Sequence, residues 1–242
     1  MSPSTNLTAR EEEIIRILRI MSQATNGFVV IGGYALSAHG QHRFSVDCDL
    51  ATDEAHVRIL DVTLARDGYA AKKTRPRLPE GVATREYVKR IGKEPSTVEL
   101  FINRVVSRAT QGTWTYEFIR ENSMEALVVG VTDSTPSRVV GRDLLVAMKL
   151  HAGRRQDLGD VTVLSREVDW ENVAKFAACG SKEKLAEQLE SATSEISSPK
   201  FLSDLKSTFA MRGDLESLIE TASRGLRRLK TLIARQKFSS VL

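Results

Sequence analysis

The stretch from Phe28 to Asp53, FVVIGGYALSAHGQHRFSVDCDLATD, constrains this chain more than any other part of it. Phe28-Val29-Val30-Ile31 is an apolar run of strand length, closed by Gly32-Gly33 and followed by a small-residue helical turn from Tyr34 to Ala38. Asp47 and Asp49 then stand two positions apart in a second segment of strand character. Strand side chains alternate, so Asp47 and Asp49 share one face while Cys48 and Leu50 take the other. Two neighbouring carboxylates repel unless a cation joins them. Mg²⁺ is the hard cation that takes carboxylate oxygens and keeps places for phosphates. A glycine pair opening a helix lets a phosphate approach backbone N–H groups. The chemistry that joins a phosphate cradle to metal carboxylates is phosphoryl or nucleotidyl transfer.

The same alternation carries Arg43 and Ser45, which extends a polar strip toward the two aspartates. A two-metal phosphoryl-transfer site calls for a third carboxylate on a neighbouring strand. Glu99 supplies it, interrupting the otherwise apolar run Thr97-Val98-Glu99-Leu100-Phe101.

Composition sets bounds around this. The chain has 242 residues, 41% hydrophobic and 27% charged, as expected of a folded protein of one large or two small domains. No apolar run approaches the roughly 18 residues of a membrane span. The N-terminal MSPSTNLTAREEEIIRIL is acidic and helical in pattern, unlike a signal or transit peptide. Two cysteines, Cys48 and Cys179, give neither a disulfide framework nor zinc spacing, and the simplest compartment is the cytoplasm. The net charge of +4 permits a polyanionic partner without requiring one.

Along the chain, Thr8-Ala9-Arg10-Glu11 fits a capping box before Ile14, Ile15, Leu18 and Met21 at helical spacing. Thr52 or Asp53 caps a helix through about Arg66, with Gly68 as its stop. Tyr69–Lys73, Thr84–Ile91, Thr97–Ile102 and Leu127–Val131 read as strands, and helical patterning takes over from about Ser137. The reading is an α/β domain over 1–136 and a helical domain over 137–242.

Taken together, Gly32-Gly33, Asp47-Cys48-Asp49 and Glu99 resemble the polymerase-β-like nucleotidyltransferase superfamily. The string GGYAL…HG…R-x-S-x-D-x-D-L is especially similar to the AbiEii-type, abortive-infection nucleotidyltransferases, many of which are toxins of toxin–antitoxin pairs. A second segment agrees: LLVAMKLHA, with Lys149, followed by Arg154, Arg155, Asp157 and Asp160. The resemblance spans about 27–160. It departs from the family at Cys48, where an aliphatic residue is commoner, and at Glu99, where Asp is more usual.

The resemblance implies an α/β fold with a nucleotidyltransferase core, a mixed β-sheet flanked by helices, followed by a C-terminal helical domain. It implies a Mg²⁺-dependent enzyme that moves a nucleoside monophosphate from a nucleoside triphosphate to an acceptor hydroxyl, releasing pyrophosphate. Asp47, Asp49 and Glu99 are then the catalytic metal ligands of a two-metal site. Gly32, Gly33, Arg43, Ser45 and Lys149 bind the nucleotide. The acceptor stays open between tRNA, a protein hydroxyl and a small molecule, and a cognate antitoxin is the expected protein partner. An antibiotic-modifying transferase and a catalytically inert binding module share enough of the pattern to remain alternatives. Rossmann spacing and a Walker lysine are both missing from GGYALS.

The remaining features read as structural. His39, His42, His56 and His151 lack metal-ligand spacing. Lys72, Lys73, Arg75, Arg77, Arg85, Lys89 and Arg90 form a basic cluster around one hairpin, a solvated face or an RNA contact. The segment Arg224–Lys237 carries Leu226, Leu229, Leu232 and Ile233 on one apolar face, suited to core or partner packing.

Overall fold

The structure is a computed structural model and describes residues 3–72, 83–210 and 214–242. Helix α1 (Pro3–Ala24) comes first, with Ile14, Ile15, Ile17, Leu18 and Met21 fully buried. Strand β1 (Phe28–Ile31) runs directly into α2 (Gly32–Ala38), and β2 (Asp47–Thr52) follows. Asp53 caps α3 (Glu54–Arg66), its carboxylate accepting the His56 N–H at 2.9 Å. Then come β3 (Ala70–Lys72), β4 (Ala83–Ile91), β5 (Glu94–Ile102), β6 (Arg104–Val106), β7 (Thr113–Thr115), α4 (Tyr116–Glu121), β8 (Ser123–Val129) and β9 (Ser134–Val140). The rest is helical: α5 (Arg142–Ala152), α6 (Arg155–Leu164), α7 (Trp170–Phe176), α8 (Lys182–Glu195), α9 (Pro199–Thr208) and α10 (Leu215–Arg235).

Contacts divide the chain into two compact units. The first, Met1–Val105 with Thr115–Val140, holds a mixed seven-stranded sheet in the order β3-β4-β5-β2-β1-β9-β8. β2 lies parallel to β5 and β1 parallel to β9; the other pairs are antiparallel. One face carries Cys48, Leu50, Val98 and Leu100, all fully buried. Helices α1 and α3 cover that face. Arg85 and Tyr87, which alternate onto it from β4, bond to Asp61 of α3, and Lys89 reaches Glu13 of α1 at 3.0 Å. The opposite face carries Asp47, Asp49, Thr97 and Glu99, and all four keep some exposure.

Two local readings change here. The capping box at Thr8 lies inside α1, which already begins at Pro3. Glu11 has other work: its buried carboxylate accepts from Val131 N (2.8 Å) and pairs with His42 Nε2 (2.9 Å). The helical pattern expected from Ser137 begins instead at Arg142, because 134–140 is a strand. Its inward positions include the buried hydroxyl residues Thr135 and Ser137, so alternation by hydropathy does not reveal it.

The second unit is Val106–Trp114 with Gly141–Leu242. It takes an excursion of the chain from between β5 and α4 and fixes it around a fully buried His151. His151 Nε2 donates to Ala177 O at 3.0 Å, so Nδ1 is the acceptor of the Thr110 hydroxyl at 2.6 Å. Trp114 packs edge-on against the ring at 5.1 Å and donates Nε1–H to Phe176 O. Gly112 is required here, since a Cβ would lie 2.4 Å from Nδ1.

Burial pushes the His151 imidazole down to about 4, against the small upward pull of the Ala177 carbonyl. The unfolded chain therefore gains this proton first as pH falls from about 6.5 toward 4. Stability from this site is full above that window and declines through it, by about 2 kcal/mol at pH 5. Denaturant unfolding at pH 7 and pH 5 checks this: wild type should lose more than His151→Gln, and parallel losses would discard it.

Candidate active site

Register brings the predicted acids together. β1 pairs Ile31 with Asp49, β2 pairs Asp49 with Glu99 and Asp47 with Thr97, and the chain continues past Ile31 as Gly32-Gly33. Residues paired across adjacent strands project to the same face, with Cα atoms roughly 5 Å apart. Asp49 and Glu99 are thus lateral neighbours, with Asp47 one pleat along.

The glycines are required by close approach. Gly32 has φ +67, and a Cβ there would lie 2.2 Å from Asp49 Oδ2. At Gly33 a Cβ would lie 2.6 Å from Ser45 Oγ and 3.5 Å from Arg43 Nη1. The loop before β2 is stitched over this turn. Tyr34 donates its hydroxyl to Ser45 O at 2.8 Å, Ser45 Oγ bonds Asp47 O at 3.2 Å, and Arg43 is buried. Gly32, Gly33, Arg43, Ser45, Asp47, Asp49 and Glu99 therefore form one constellation within the first unit. Behind it Cys48 is fully buried, and burial, then the charges of Asp49 and Asp47, push its thiol well up, leaving it a packing group.

A residue the sequence reading passed over joins the row. Glu86 of β4 pairs in register with Glu99, and Lys72 of β3 pairs in register with Glu86. Asp49, Glu99 and Glu86 thus line up across three strands, a costly arrangement without cations. Lys72 Nζ supplies one to Glu86 at 2.8 Å. The signal lay in the alternation of ATREYVKRI, hidden within a basic run. Of that run, Lys73, Arg75 and Arg77 lie outside the described residues. Lys72, Arg85 and Lys89 are paired with carboxylates, and Arg90 bonds Lys93 O at 3.2 Å.

The donor atoms are carboxylate oxygens, the kind Mg²⁺ takes, and glycine at position 32 lets the backbone pass against Asp49 Oδ2, which a Cβ there would meet at 2.2 Å. Among the described residues no three His, Cys, Asp or Glu side chains are grouped so that they could hold a metal ion. The histidines are engaged otherwise, His39 with Val140 O, His42 with Glu11 and His56 with Asp53.

Lys149 lies in the second unit, nearly fully buried on α5. The sequence reading gives it to the triphosphate. In the structure its ammonium is held by Asp160 at 2.5 Å and Asp157 at 3.4 Å, and Arg154 Nε donates to Asp157 at 2.6 Å.

Solved structures give the comparison. A candidate nucleotidyltransferase from H. pylori superposes with a TM-score of 0.51 at 16% identity, covering 99% of this chain and 100% of that one. The H. pylori protein JHP933 gives 0.50 at 16% identity, over 98% and 96%. This chain shares their fold. Its sequence matches no protein-family model and no curated protein. Among the described residues no helix is long and apolar enough to cross a membrane.

Gly33→Val tests the cradle. A β-branched side chain aimed at Ser45 and Arg43 should weaken binding of a nucleoside triphosphate with Mg²⁺ at least about tenfold, roughly 1.4 kcal/mol. Calorimetric titration of a folded variant with unchanged affinity would remove the glycine turn from the binding site.

Proposed function

We propose that this chain is a nucleotidyltransferase, joining a nucleoside monophosphate from a nucleoside triphosphate to an acceptor hydroxyl. The observation that carries the reading is the close fit of Gly32 against Asp49, with Glu99 in register beside it. Asp47, Asp49 and Glu99 would hold the two Mg²⁺ ions. Bound there, Mg²⁺ supplies Lewis acidity and neutralises phosphate charge. The backbone at Gly32-Gly33 takes the phosphates, while the Ser45 hydroxyl and Arg43 guanidinium orient them. The acceptor oxygen bonds to the α-phosphorus, the bond to the β-phosphate oxygen breaks, and pyrophosphate leaves. Glu99 receives the acceptor's proton. Incubation with α-labelled and γ-labelled triphosphates tests this: label should pass to an acceptor only from the α position. Release of γ-labelled orthophosphate alone would replace transfer with hydrolysis.

The resemblance of GGYAL and R-x-S-x-D-x-D-L supports a narrower reading: an AbiEii-type toxin of a toxin–antitoxin pair, acting in the cytoplasm and restrained by a cognate antitoxin. Expression should slow bacterial growth, and Asp49→Asn should restore it. Resistance to an antibiotic without growth arrest would favour the antibiotic-modifying alternative. Arrest that persists in Asp49→Asn would favour an inert binding module.

A further inference from the structure

The charge of this chain is unevenly placed. The first unit has 17 Lys and Arg against 17 Asp and Glu, and the second has 18 against 14. Residues 221–242 contain six of these cations and no acid. Helix α10 sorts them by face. Leu218, Ala222, Leu226, Leu229 and Ile233 are buried, while Arg224, Arg227, Arg228, Thr231 and Arg235 are exposed. At about 100° per residue these five exposed positions fall within roughly 100° of arc and span about 16 Å of helix. This is an arginine ridge along one outward face.

Its present partners are weak. Arg224 meets Glu220 at 3.7 Å, and Arg228 pairs with Glu171. Both pairs are well exposed and worth at most about 1 kcal/mol, so either arginine can exchange its carboxylate for a stronger anion. Arg227 and Arg235 have no carboxylate within ion-pair distance among the described residues. The apolar side of α10 is spent on the core, which leaves no greasy face for a bilayer. Arginine forks spaced along a straight ridge match a regular polyanion with repeated phosphates, and guanidinium groups take phosphate oxygens in pairs.

We propose that the α10 ridge binds the phosphate backbone of RNA. This deepens the transfer reading, on which it rests for making that RNA the acceptor; the binding itself is independent of the acids. It places an RNA contact on the last helix, in addition to any made by the basic β3–β4 hairpin.

The test is fluorescence anisotropy with a labelled RNA hairpin across a salt series, using wild type, the Arg224→Gln/Arg227→Gln/Arg228→Gln/Arg235→Gln variant, and the same four changed to Lys. Glutamine keeps helix propensity and removes charge. Wild type should bind with log affinity falling steeply in log salt. The glutamine variant should lose at least about tenfold in affinity and roughly three from the slope, at 0.7–0.9 per phosphate contact. The lysine variant should retain most of both. A flat salt response in wild type, or unchanged RNA affinity in the folded glutamine variant, overturns the proposal. Equal wild-type binding of polyglutamate or phosphatidylserine vesicles overturns it as well. The same titration on Asp47→Asn/Asp49→Asn protein separates the two readings: RNA binding should persist there, and failure of wild-type protein to bind triphosphate would sink the transfer reading alone.

Discussion

Asp49→Asn is expected to lower nucleotide transfer at least about a hundredfold, equivalent to about 2.7 kcal/mol of transition-state stabilisation. The substitution is isosteric, so the β1–β2 pairing beside Gly32 should persist and circular dichroism should stay native. What disappears is the charge at the centre of the row formed by Asp47, Asp49 and Glu99. Pyrophosphate release gives the rate. Stabilisation of the melting temperature by triphosphate with Mg²⁺ gives a binding readout independent of turnover, and it should shrink in the same variant. Asp47→Asn should act in the same direction. Wild-type turnover in a folded Asp49→Asn protein would mean that this face of the sheet is not where chemistry occurs.

This constellation of residues could be read in advance because it is mostly local. Ile31, Gly32 and Gly33 are consecutive, and Asp47 and Asp49 share a face by strand alternation alone. Asp53 at a helix start and Gly68 past its end are equally local signals, and α3 lies between them as expected. Glu99 required one further step, that its strand lie beside β2, and the parallel register with Asp49 supplies it. Glu86 required two such steps, to β5 and then to β4, and alternation inside a basic run gave it no prominence.

Other parts of the fold have no local signature. The strand β9 hides behind Thr135 and Ser137, polar residues on a buried face. The passage of 106–114 into the helical unit depends on His151 meeting Thr110 across 41 positions of sequence. The basic clusters show the same divide. Charge count singles out the β3–β4 hairpin, yet Lys72 there is paired with Glu86 of the same hairpin, and Arg85 and Lys89 with Asp61 of α3 and Glu13 of α1. On α10 the buried apolar face is what turns the arginines outward. Sequence shows which cations are present, and only packing shows which of them face solvent.

Lys149→Ala is expected to act first on stability, by about 3–5 kcal/mol, because it removes the buried ammonium held between two buried carboxylates. Asp157 and Asp160 are almost wholly inaccessible, and Lys149 is the cation set between them. Arg154 also serves Asp157, from a side chain that is 76% exposed. The melting temperature of the helical unit should fall by roughly 10–20 °C. Neutralising both acids in the triple variant Lys149→Met/Asp157→Asn/Asp160→Asn should recover part of that loss, since a buried ion cluster replaced as a set is often near neutral. Kinetics separate this role from direct contact with a triphosphate. A contact residue would raise KM or lower kcat with melting nearly unchanged; a lysine that holds the α5–α6 turn together would lose melting temperature first and activity only with it. A melting temperature within about 2 °C of wild type, less than the shift of a single kcal/mol, would return Lys149 to the nucleotide.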